Sequence, residues 1–175
     1  MIAAAVAPVL AASAVAALSR AHADTGGRNC PAEVKARETK VHADRSWTEH
    51  DLPGIGEYIE VHWQIHATGD PCIRVPGPTD WHYQGIVRLR PTDATALAHK
   101  YQDWRRVPTP ASPSPDDYEW DTPSQMWPAL APFVPTGVHW MHSARYASSE
   151  FQGSRWGDLY LDPDRSLAFF VLYDH

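Results

Sequence analysis

Glu60 and His62 stand two residues apart in the stretch Tyr58-Ile59-Glu60-Val61-His62-Trp63-Gln64-Ile65-His66. On an extended chain that spacing puts a carboxylate and an imidazole on one face. Such a pair in a cleft moves protons and supports hydrolysis. With Asp80 ahead of the following strand, Glu60 and His62 form the candidate catalytic set of an extracellular hydrolase. His62 and His66 also have the H-x-x-x-H look of a metal pair. On a helix those two rings would lie about 6 Å apart, but on a strand about 13 Å. The strict alternation of Ile59, Val61, Trp63 and Ile65 with polar neighbours predicts a strand, so no metal site is expected there.

Other chemistries fail on spacing. Gly54-Ile55-Gly56 has Ile59 where a dinucleotide fingerprint needs its third glycine, and no Gly-Lys-Ser/Thr occurs. Gly153-Ser154-Arg155-Trp156-Gly157 is misspaced for a nucleophile elbow. No cofactor is expected. Glu57, Glu60, Asp80, Asp158 and Asp162 supply carboxylates for glycosidic cleavage, but nothing in the sequence brings two of them together. Asp162 and Asp164, in Asp162-Pro163-Asp164-Arg165-Ser166, read as turn formers.

The chain carries eight tryptophans. Trp63, Trp104 and Trp140 fall in predicted elements; Trp47, Trp81, Trp120, Trp127 and Trp156 fall in or beside loops. Flat rings on loops give rigid contact area at low entropic cost. The leading functional expectation is therefore a non-enzymatic exported module that binds a protein or glycan outside the cell through Trp81, Tyr83 and Trp120. The hydrolase built on Glu60, His62 and Asp80 is the alternative. A deep polar pocket would favour the second, and scattered surface aromatics the first.

Positioning these residues requires a sheet. Tyr58–His66 and Gln84–Arg90 are predicted strands, separated by a Pro71–Trp81 loop rich in turn residues. Pro91-Thr92-Asp93 opens a helix with Thr92 as cap, and Ala94, Leu97, Ala98, Tyr101 and Trp104 form its apolar stripe, ending by Val107. A proline-rich loop spans 107–123, and one or two short helical turns are expected over Pro123–Phe133. Val138–His142 is a short strand. Gly157–Leu161 and Leu167–Tyr173 form a C-terminal hairpin, its second strand apolar on both faces and so central. The expected fold is α+β: an antiparallel sheet of four or five strands with one amphipathic helix on one face.

Residues 24–56 read as an irregular arm with one helical turn near Ala32–Glu38, and 57–175 as a single domain. Residues 1–23 are uncharged from Ile2 to Leu18 and close on Ala21-His22-Ala23, the layout of a secretory signal. The run opens without a basic region, which keeps an uncleaved membrane anchor, with the domain outside, as the alternative; in that case the domain is an appendage of an anchored protein. Cys30 and Cys72 are the only cysteines, and in an oxidising exterior an even pair predicts a disulfide. The net charge of −6 and the lack of a Lys/Arg block argue against nucleic acid or anionic lipid as partner.

Overall fold

A computed structural model describes residues 30–45, 52–69, 71–72, 80–107, 122–151 and 155–174. Residues 1–29 (with the expected signal segment), Trp47, Trp120 and most of the proline-rich stretch lie outside them. β1 (Tyr58–Ala67) and β2 (Trp81–Leu89) pair antiparallel, from Ala67 opposite Trp81 to Tyr58 opposite Leu89. The register slips between Tyr58 and Glu60. That bulge consumes Ile59, so Tyr58 is buried at 5 % exposure while Ile59 stands 57 % exposed. The expected row therefore begins at Val61 rather than Ile59.

β6 (Leu167–Asp174) pairs with β2 on one side and with β5 (Arg155–Asp162) on the other, and β4 (Met141–His142) and β3 (Arg105–Arg106) extend the sheet beyond β5. The order is β1-β2-β6-β5-β4-β3, antiparallel at every junction. The α+β class holds, with six strands rather than four or five. The one extra strand, β3, has two residues, too short to carry an alternation, and β4 keeps only Met141–His142 of the expected Val138–His142. The β5–β6 turn matches its composition: Asp162 accepts the Arg165 N–H at 3.1 Å, and Ser166 takes a left-handed φ of 51°. Leu167 to Leu172 are all buried, as befits an interior strand with both faces covered.

One face packs on Tyr83, Val87, Phe170, Leu172, Leu159 and Leu161, beneath α2 (Pro91–Lys100) and α3 (Ala144–Glu150). α2 contributes Ala94, Leu97 and Ala98, with Tyr101 and Trp104 following it, as the stripe predicts. Its ends differ from expectation. Arg90, not Thr92, holds the N-cap position, because Pro91 is pre-shaped for the first helical residue. The helix stops at Lys100, and Trp104 returns by donating its indole N–H to the Leu97 carbonyl at 3.3 Å. Phe170 needs a gap on β2, which Gly85 provides: a Cβ there would lie 2.4 Å from the Phe170 ring.

The N-terminal segment is more than an arm. α1 (Cys30–Glu38) is tied through the Cys30–Cys72 disulfide, with Cα atoms 5.7 Å apart. The disulfide is not its sole anchor. The Glu38 carbonyl accepts from Gln64 Nε2 at 3.0 Å, and its carboxylate accepts the Ala67 N–H at 3.1 Å. His42 bridges to Trp63 through paired backbone bonds and stacks on its indole at 4.3 Å. Leu52 and Ile55 enter the core as well. Among the described residues no helix is long and apolar enough to cross a membrane.

Candidate functional site

The opposite face of the sheet carries the even-numbered residues of β1 from Glu60 onward and those of β2. A strap from Thr122 to Val138, built around two 3-10 turns (Pro123–Gln125 and Ala131–Phe133), lies across it. Buried Gln84 fastens the strap: its Oε1 accepts the Trp127 N–H at 2.9 Å and its Nε2 donates to the Gln125 carbonyl at 3.4 Å. Two stacks add to this clasp. The His66 ring lies on Trp127 and the His62 ring on Phe133, each pair with centroids 3.6 Å apart. His82 lies edge-on to Trp127 and stacks on Tyr173.

Where the strap meets the β1–β2 end, a cleft of about 240 Å³ remains. Ile86 and Leu167 lie at its base, Pro132, Phe133 and Pro135 on the strap side, and Glu60, His62 and Arg88 on the sheet side. Glu60 Oε1 meets His62 Nε2 at 2.6 Å, and its other oxygen accepts from Arg88 Nε at 3.4 Å. The His62 hydrogen bond, followed by that from Arg88, holds the Glu60 carboxyl below the usual carboxylate range despite some desolvation. Glu60 therefore remains an anion that orients the imidazole, and it is poorly suited to donate a proton.

Of the sequence-predicted catalytic set, Glu60 and His62 meet and Asp80 does not. Asp80 lies at the other end of the hairpin, where its carbonyl accepts the Thr68 N–H, about 25 Å along the strand from Arg88. The aromatic set fares differently. Tyr83 is a core residue, 7 % exposed beside Trp63, and burial pushes its phenol pKa up, so it offers no binding surface. Trp81 is half-buried at the rim of the same core, with the Arg37 guanidinium 5.5 Å above its ring. Trp120 lies outside the described residues. Among the described residues the exposed tryptophan is Trp156 on β5, at 44 %.

Arg88 and the strap wall went unread in the sequence. Arg88 faces Glu60 only because the bulge sets that register, and Pro132-Phe133 approaches His62 across a span with no local signal. His62 and His66 stack on separate rings of the strap. Among the described residues no group of three or more His, Cys, Asp or Glu is placed to hold a metal.

A second carboxylate–imidazole pair, His142 Nε2 with Asp158 Oδ1 at 2.6 Å, spans β4 and β5. Ser143 next to it is not available as a nucleophile. Its hydroxyl donates to Asp103 at 2.5 Å and accepts the Tyr146 N–H, capping α3. Glu150 serves α3 at its other end, receiving Lys100 at 2.7 Å and the Tyr101 hydroxyl. Both are structural junctions. No family model, curated protein or solved structure matches this chain.

Proposed function

We propose that this protein is an exported, non-enzymatic binding module whose ligand enters the cleft between β1–β2 and the strap. The observation that carries the reading is the apolar base and wall of that cleft, formed by Ile86, Leu167, Pro132, Phe133 and Pro135, with Glu60 and Arg88 about half exposed at one edge rather than enclosed in a deep polar pocket. Small-ligand sites have that composition: apolar surface supplies affinity and a few fixed polar groups supply orientation. The cleft lies below the ~300–1,000 Å³ typical of such sites, which suits one ring or one side chain. Among the described residues no Ser, Thr or Cys lines it. Aromatic recognition passes from the loop rings to Phe133. A disulfide together with the apolar leader supports a location outside the cell, where the partner is a protein or a glycan.

A hydrolase is the second reading, favoured by the 2.6 Å contact that aims His62. In it His62 would take a proton from water while Glu60 stabilised the imidazolium. One experiment separates the two. One-ring fragments titrated into isotope-labelled protein should shift the Ile86, Arg88 and Leu167 amides without turnover. Shifts confined to other surfaces would sink the cleft reading. Cleavage of chromogenic esters or glycosides that disappears in His62→Ala would transfer it to hydrolysis.

A further inference from the structure

Resting on that reading, we infer that the cleft takes a neutral polyhydroxyl ring, a single sugar residue. The argument starts from the hydrogen-bonding inventory at its polar edge. Glu60 only accepts, and Arg88 only donates. The two lie side by side, with 3.4 Å between Arg88 Nε and Glu60 Oε2. Their charges oppose a ligand of a single sign: an anion drawn to Arg88 meets the Glu60 carboxylate, and a cation drawn to Glu60 meets the guanidinium. A hydroxyl both donates and accepts. Adjacent hydroxyls on one ring thus satisfy carboxylate and guanidinium together, with no net charge to desolvate.

The rest of the cleft fits the same class. His62 fixes the carboxylate from behind at 2.6 Å, so the acceptor is set before a ligand arrives. The Arg88 guanidinium carries five N–H donors, and its Nε–H is the one directed at Glu60. Exposed Pro132 and Pro135 offer C–H surface to the apolar face of a ring, over a base closed by buried Ile86 and Leu167. Glu60 and Arg88 remain 47 % and 45 % exposed in their side chains, so the ring can belong to a longer glycan running out along the surface.

The test titrates labelled protein with the methyl glycosides of glucose, galactose, mannose and N-acetylglucosamine, alongside glucuronate and glucosamine. At least one neutral glycoside should cause saturable shifts at Ile86 and Arg88 with the same Kd at low and high salt. Glu60→Gln and Arg88→Gln should each weaken it about tenfold or more, with melting temperatures within about 4 °C of the parent. Trp156→Ala, away from the cleft, should leave binding intact. Tighter, salt-sensitive binding of glucuronate or glucosamine at the cleft would overturn the neutral-sugar assignment while keeping the binding module. Loss of binding in Trp156→Ala but not in Glu60→Gln would overturn it in favour of stacking on the exposed indole. If no neutral glycoside shifts the cleft but other one-ring fragments do, the sugar assignment falls alone; if no fragment does, both readings fall.

Discussion

The two faces of the sheet are closed by different physics. Under α2 and α3, Val87, Leu97, Leu159, Phe170 and their neighbours exclude water chiefly by apolar contact, with hydrogen bonds such as Trp104 to Leu97 at the margin. Under the strap, the half nearer β6 is apolar, with Leu130 and Phe169 fully buried. The β1–β2 half is instead closed by ring stacks on His62 and His66 and by the Gln84 clasp. Apolar contact is non-directional and fills space, whereas stacks and amide bonds fix a cover at discrete points and leave gaps between them. The cleft is one of those gaps. A period-two pattern tells which residues share a face; it does not tell what lies over that face.

This contrast can be broken at successively smaller cost. Trp63→Ala, on the helix-covered side of β1, should lose about 3–5 kcal/mol in denaturant unfolding. Half-buried Trp81→Ala should lose clearly less; equal losses would mean that the core extends to the hairpin's open end. Reducing the Cys30–Cys72 link, which closes a 42-residue separation, should cost about 2–4 kcal/mol. Because α1 buries no residue of its own, reduction should speed exchange of the Ala67 amide before that of β6. Uniform exchange across the sheet would show that α1 is held by more than the disulfide and Glu38.

Gln84→Ala should cost about 1–3 kcal/mol by stranding the buried Trp127 N–H, and should loosen the strap without disturbing α2. The smallest effect is acid sensitivity. Glu60 has a lowered carboxyl pKa in the fold, from its His62 and Arg88 bonds. Its stabilisation is complete above the ordinary carboxylate range and lost as pH falls through the lowered value. Being about half exposed, it should contribute less than about 1 kcal/mol. His42, whose pKa is lowered chiefly by burial and next by Lys40, loses its contribution in the same direction at higher pH. His42→Phe should flatten that upper step in a stability-against-pH curve and leave the Glu60 step in place.

The sequence disclosed what depends on near neighbours. The β1 alternation, the α2 stripe, the β5–β6 turn at Asp162 and the doubly apolar β6 were legible because each is a short-range pattern. The Cys30–Cys72 pairing was legible because only one pairing was possible. Thr92 misled because Pro91 competes for the first helical turn. Tyr83 looked like a loop aromatic because β2 begins three residues earlier than Gln84, and within that strand its side chain turns into the core. Half of the candidate site, Glu60 and His62, followed from spacing. Arg88 depended on an interstrand register, and Phe133 on a strap with no period of its own.

The strand order also constrains how the sheet assembles. β1–β2 and β5–β6 are hairpins, each closing over a short stretch, but they join at β2–β6, and β2 ends at Leu89 where β6 begins only at Leu167. Closing a loop of that length costs about 4 kcal/mol beyond the fixed part, and non-local pairing of this kind slows folding. The buried centre of the sheet is therefore the last ladder that can nucleate locally. Until the two hairpins meet, Phe169 and Phe170 have only one paired neighbour and their strand has an open edge. That delay makes the interval before β2–β6 pairing the stage most prone to aggregation.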